Sequence, residues 1–134
     1  MATLKTNTLT GTSTAGSIAV TGEGNSTTTN LQQGLCKVWC QASQDAGNII
    51  RDSFNTASIT DTNTGIIDYN FTNSFGNDDY AVGTLARQDA GGSDAFSRQS
   101  DTATNEVRLV HVNGTDGTLV DVDIGSVALF GDLA

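Results

Sequence analysis

Proline is absent from this 134-residue sequence, so every turn has to be made by glycine, asparagine or aspartate. Strong helix formers are scarce too. Glutamate occurs only at Glu23 and Glu106, and lysine only at Lys5 and Lys37. Amphipathic helices are therefore not expected. Aromatic residues make up 6% of the chain, which argues against a sugar-lined cleft. No stretch approaches the roughly 18 consecutive apolar residues that a membrane span needs. Nor does a basic segment followed by an apolar run open the chain, so no signal peptide is expected and assembly in a cytoplasm is. Positive charge is short: Lys and Arg together number 6 against 15 Asp and Glu, a net charge of −9. A surface this acidic repels nucleic acid and anionic lipid, so neither is expected as a partner.

What the chain has in quantity is Thr, Ser, Asn and Gly, with 37% hydrophobic residues. That mixture suits many short strands with polar outer faces and frequent turns. The expected fold is all-β, an antiparallel β-sandwich (jelly-roll-like) built of hairpins, with an extended N-terminal arm over residues 1–30 and the sandwich domain over 31–134. The arm is polar, with Leu4, Leu9, Ile18 and Val20 as its sparse apolar residues. Extended pieces are expected around Leu4–Leu9 and Ser17–Thr21, a turn over Gly11–Gly16, and a polar loop over Gly22–Asn30. With so little apolar surface, the arm is expected to be ordered by lying on another surface.

Further along, Leu31, Leu35 and Val38 have helical spacing, and Asn30 is placed to cap a short turn. Cys36-Lys37-Val38-Trp39-Cys40 reads as a strand, with both cysteines and Val38 on one face. Two cysteines four apart on a strand lie about 13 Å apart, too far for a disulfide. They are expected as buried thiols. Trp39 reads as a core or interface anchor, with carbohydrate stacking as the alternative. Ile49–Phe71 reads as a hairpin whose first limb runs from Phe54 to Ile59. Its turn is Asp61-Thr62-Asn63-Thr64-Gly65, and its second limb buries Ile67, Tyr69 and Phe71. Trp39, Phe54, Tyr69 and Phe71 are the expected core anchors. Tyr80–Ala86 should pack Tyr80, Val82 and Leu85. Arg87–Thr104 reads as a long polar loop that presents Phe96 to a partner. Val107, Leu109 and His111 share one strand face. After the turn at Asn113-Gly114, the return strand should turn Val120, Val122 and Ile124 inward.

The chemistry is sparse. His111 is the single histidine and sits mid-strand, where a packed or hydrogen-bonded role is expected rather than that of a catalytic base. Asp61-x-Asn63-x-Gly65 resembles the start of a calcium loop but lacks the later bidentate acid, so a hairpin turn bonding to its own backbone is expected. No metal, no cofactor and no catalytic residue is expected. A small polysaccharide hydrolase or lyase is the reading from another class, and it lacks a base and an aromatic cleft.

The wording of the sequence adds a further expectation. "LKTNTL" with "TAGSIAVTGEG", then "TTTNLQQGLCKVW", then "RDSFNTASITDTNTGIIDYNF" resemble a β-structured virion surface module of tailed bacteriophages from marine and freshwater bacteria, including cyanobacteria. The matching elements are Leu31–Trp39, Arg51–Phe71 and Asp79-Tyr80, within residues 3–86. The chain departs from the pattern at Cys36 and Cys40, where the family has small or apolar residues. It also departs in length, since tail fibres carry the module at the end of a longer chain. The resemblance implies a non-catalytic capsid decoration (cement) protein. The alternative is a short fibre or fibre-tip module for host-surface recognition. It further implies a homo-oligomer, commonly a trimer, on the virion surface, with the major capsid protein or other virion proteins as partners. Leu4, Leu9, Ile18, Val20, Leu31 and Phe96 are then the candidate capsid or subunit contacts.

Overall fold

The structure, a computed structural model, describes residues 3–14, 17–22, 24–88 and 94–134. Their regular elements are all strands. The chain divides into two compact units, Met1–Leu35 and Cys36–Ala134.

In the first unit β1 (Ala19–Thr21) pairs antiparallel with β2 (Thr28–Asn30). The expected polar loop over Gly22–Asn30 therefore ends in a strand. Thr28 and Thr29 are β-branched and suit a pleated backbone. Gly22 donates to the carbonyl of Thr27 at 2.9 Å, and Asn25 takes a φ of 54° to close the turn. Leu4–Leu9 forms no strand. The expected turn over Gly11–Gly16 falls partly on Ala15 and Gly16, which lie outside the described residues. After β2 the Asn30 side-chain oxygen accepts from the backbone N–H groups of Gln32 (2.8 Å) and Gln33 (3.3 Å). This is the geometry of a helix cap, yet only a turn follows, through Gly34.

The second unit is an antiparallel β-sandwich. Its strands are β3 (Val38–Ser43), β4 (Ile49–Phe54), β5 (Thr56–Asn63), β6 (Ile66–Phe71), β7 (Ala81–Arg87), β8 (Ala95–Ala103), β9 (Glu106–Asn113) and β10 (Ile124–Phe130). One sheet has the order β4-β3-β10-β7 and the other β5-β6-β9-β8. The hairpins β3–β4, β5–β6 and β8–β9 each stay within one sheet.

The expected hairpin of Ile49–Phe71 is really three strands. Phe54–Ile59 is not one limb, because the chain leaves one sheet and enters the other at Asn55, which has a φ of 58°. The Asn55 side chain holds this corner. Its amide donates to the carbonyls of Lys37 (3.2 Å) and Asn73 (3.1 Å), and its oxygen accepts from Asn73 N–H at 2.7 Å. The turn between β5 and β6 needs Gly65, with a φ of 67°, since a Cβ there would sit 2.6 Å from the carbonyl of His111.

Each sheet supplies the core from its two central strands. Val38, Cys40 and Ala42 of β3 and Val127 and Leu129 of β10 face Ile67, Tyr69 and Phe71 of β6 and Val107 and Leu109 of β9. The edge strands add only the partly buried Ile50, Ile59 and Val82. Phe71, Phe75 and Tyr80 close one end: Phe75 stacks on Tyr80 with centroids 4.4 Å apart, and Phe71 meets Phe75 edge-on at 5.4 Å. The Tyr80 hydroxyl donates to the carbonyl of Glu106 at 2.7 Å.

Four further expectations are corrected. Most of Arg87–Thr104 is not a loop, because β8 runs through it as the edge of the second sheet; residues 89–93 lie outside the described residues. Leu85 is not packed but 64% exposed, on the outer face of β7. After Asn113 no return strand pairs along β9. The chain makes a single bridge, Val112 to Leu119, and then crosses to the other sheet as β10. Of the three residues expected to turn inward there, only Val122 is buried. Cys36 is half-buried, while Cys40 is buried as expected; both are free thiols.

Candidate interaction surfaces and the buried polar cluster

Two of the four expected core anchors lie elsewhere. Tyr69 and Phe71 are buried, but Trp39 is 38% and Phe54 53% exposed. The pair sits side by side on the outer face of the first sheet, since Trp39 and Phe54 are register partners in β3 and β4. In a strand alternate residues face opposite ways. Val38, Cys40 and Ala42 took the inner face, which left Trp39 and Gln41 outside.

The surrounding outer face is apolar and uneven. Leu85 on β7 and Phe130 at the end of β10 are also exposed. Between them Gly83, Ser126 and Ala128 leave a shallow groove of about 320 Å³, with Leu85 along one side. One end of the face is polar. There Asp123 accepts from Arg51 of β4 and Arg87 of β7, both at 2.7 Å. These two guanidinium groups hold the Asp123 carboxyl below the usual carboxylate range, Arg87 contributing most.

The outer face of the second sheet has a different character. Asp68 and Arg108, register partners in β6 and β9, form a two-pronged ion pair with N–O distances of 2.6 and 2.8 Å. Thr62 adds a hydroxyl contact to Asp68 at 3.3 Å, and Asn70 donates to the Thr60 hydroxyl at 3.0 Å. Phe96, on the edge strand β8, is 60% exposed on this face.

In the N-terminal unit none of the described residues is buried. Leu4 is 77%, Leu9 53% and Val20 50% exposed, and Leu35 is 50% exposed. Ile18 and Leu31 are half-buried. With Leu9 and Leu35 they border an open groove of about 320 Å³ that also touches Thr6, Asn7, Thr8 and Gln32. The sequence pattern missed Leu35, Leu85 and Phe130 as surface residues; Leu35 sits in a turn, and the sides of Leu85 and Phe130 are set by strand register.

The polar groups of the sandwich interior cluster around His111. The imidazole is fully buried, as is Tyr69 on the neighbouring strand β6, and Gly125 of β10 lies over both from the opposite sheet. A Cβ on Gly125 would lie 2.9 Å from the Tyr69 hydroxyl and 3.2 Å from His111 Nε2. Among the described residues neither ring nitrogen of His111, nor the Tyr69 hydroxyl, nor the Ser97 hydroxyl has a hydrogen-bond partner. Burial lowers the His111 pKa to about 4, against a smaller opposing pull from Asp121, and pushes the Cys40 thiol up to about 11. A histidine held neutral and shut off from solvent has no route to a substrate. The residues of the calcium-like turn are engaged locally. Asp61 accepts from the Asn48 amide at 3.0 Å and Asn63 from the Thr64 N–H at 2.8 Å. Asp121 caps the Gly65 N–H at 2.7 Å.

No family model matches the chain, and neither a curated protein nor a solved structure does.

Proposed function

We propose that this protein is a structural component of a phage particle, a decoration protein that attaches to the outside of the capsid shell through its N-terminal unit. The observation that carries the reading is that unit's surface: Leu4, Leu9, Val20 and Leu35 are half or more exposed, and no described residue beside them is buried. A segment that buries no core of its own gains little from folding alone. Contact with another protein surface supplies the missing burial, at about 25 cal/mol per Å² of apolar area. The two-stranded β1–β2 pair also offers free backbone edges for strand addition. The phage assignment itself rests on the resemblance of Leu31–Trp39, Arg51–Phe71 and Asp79-Tyr80 to virion surface modules.

A second reading is a fibre-tip module that recognises a host-surface glycan, which the exposed Trp39 favours. Copy number separates the two. Quantitative mass spectrometry of purified particles should find the protein at a stoichiometry comparable to the shell protein. A few copies per particle would favour the fibre, and none would sink both. Deletion of residues 1–35 should abolish binding to shells stripped of the protein. Undiminished binding by the deletion variant would rule out attachment through this unit.

A further inference from the structure

Across the outer face of the first sheet, one register row reads Phe54, Trp39, Ala128, Gly83. Two large side chains fill one half of the row, and two of the smallest residues form the other. We propose that this face is the self-complementary surface of a two-fold dimer, in which the Trp39–Phe54 half of each copy seats on the Ala128–Gly83 half of the other.

The row selects the axis. A two-fold lying in the interface, parallel to the strands and midway between β3 and β10, reverses the order of every row. Phe54 then faces Gly83 of the second copy and Trp39 faces its Ala128, and each contact occurs twice. An axis across the strands leaves the order unchanged. It would stack Phe54 on Phe54 and leave voids over both glycines, which forfeits packing. The floor is open to receive a ring: a Cβ on Gly83 would meet only the carbonyl of Ala128, at 3.6 Å.

Charge follows the same reversal. The next row reads Asp52, Gln41, Ser126, Leu85. Turned about the same axis, Asp52 meets Leu85 of the second copy, one row from its Arg87, whose side chain is 58% exposed. Asp52 is the one charged residue in these two rows, so a chain of net charge −9 meets its copy there with little charge, the Arg51–Asp123–Arg87 cluster lying at the end of the face. Four strands about 4.8 Å apart and six or seven residues long give a face of about 19 by 21 Å. That is the small end of specific interfaces, and it implies a dimer that dissociates on dilution.

The proposal is independent of the virion reading, because it is tested on the full chain in solution without particles. Sedimentation velocity over a concentration series should show a monomer–dimer equilibrium. The emission of the single tryptophan should shift to the blue as the dimer forms. Gly83→Leu and Ala128→Leu fill the groove from outside the core. Each should weaken the dimer about tenfold or more while leaving the thermal unfolding of the dilute monomer in place. In a Cys36→Ser background, a mixture of Phe54→Cys and Gly83→Cys chains should be joined as a heterodimer by a bis-maleimide whose reach matches the roughly 10 Å between packed sheets, and neither chain alone should be joined to itself. A chain that stays monomeric up to about 1 mM overturns the proposal, as does the trimer implied by the resemblance. So does a Phe54→Cys chain that links to itself, or a monomer whose Trp39 emission responds to host glycan instead.

Discussion

His111 and Gly125 show how tightly single positions are constrained in this sandwich. The imidazole lies wholly inside, and its pKa is lowered from 6.5 to about 4. Tyr69 flanks it from its own sheet and Gly125 faces it from the opposite one, Ser97 is its register partner on β8, and Asp121 is the charge that opposes the shift. The folded state refuses a proton that the unfolded chain accepts. Stability contributed by the neutral ring is thus complete above pH 6.5 and is lost as pH falls from 6.5 towards 4. A shift of this size corresponds to about 3 kcal/mol. Urea denaturation between pH 7 and pH 4 should show that loss, and His111→Leu should flatten the slope over this interval. An unchanged slope in the variant would mean that other groups carry the acid sensitivity. Gly125→Ala places a methyl group within 2.9 Å of the Tyr69 hydroxyl, and overpacking of this kind costs about 2 kcal/mol. The denaturation midpoint should fall accordingly, with near-UV dichroism reporting any displacement of Tyr69.

At the scale of elements, the corner at Asn55 joins the two sheets. Its positive φ and its bonds to Lys37 and Asn73 are separate contributions. Asn55→Ala loses the bonds and strains the backbone, a cost of about 3 kcal/mol. Asn55→Gly keeps the conformation and should recover about 1 kcal/mol of that. Equal losses in the two variants, measured by denaturant unfolding, would show that backbone strain contributes nothing at this corner. The strands themselves differ in legibility. Ile67, Tyr69 and Phe71 alternate with Asp68 and Asn70 and announce their inner face, whereas Val107, Leu109 and His111 share their strand with Val110 and Val112 on the other side. Trp39 and Phe54 sit in strands with hydrophobic or small residues on both faces, so the aromatic ring is no guide to the side it takes. Asn55 reads as an ordinary polar residue, and nothing near it signals that the chain changes sheets.

For the whole molecule, every core residue among those described lies between Val38 and Leu129, inside the unit that begins at Cys36. Residues 36–134 alone should therefore fold cooperatively, with a melting temperature within a few degrees of the full chain's by calorimetry. A fragment that fails to fold would show that the N-terminal unit contributes to the core. The exposed apolar residues follow the same division. Those of the first unit surround a segment without a buried residue among those described, and in the second Trp39, Phe54, Leu85 and Phe130 lie on the outer face of one sheet and Phe96 on that of the other.

The all-β class, the turn at Gly65, the inner face of β6 and the mismatch of the two cysteines for a disulfide were all legible from local pattern. They depend on the spacing of residues along one strand or turn, which neighbours in sequence determine. Register across β3, β4, β10 and β7 was not legible, because it joins residues as far apart as Trp39 and Ala128. That register put Trp39 and Phe54 outside and aligned them with Ala128 and Gly83, and the packing of one sheet on the other set Gly125 over Tyr69 and His111. Each of these depends on long-range backbone pairing and on which strand face the core had already filled, and only the tertiary structure decides both.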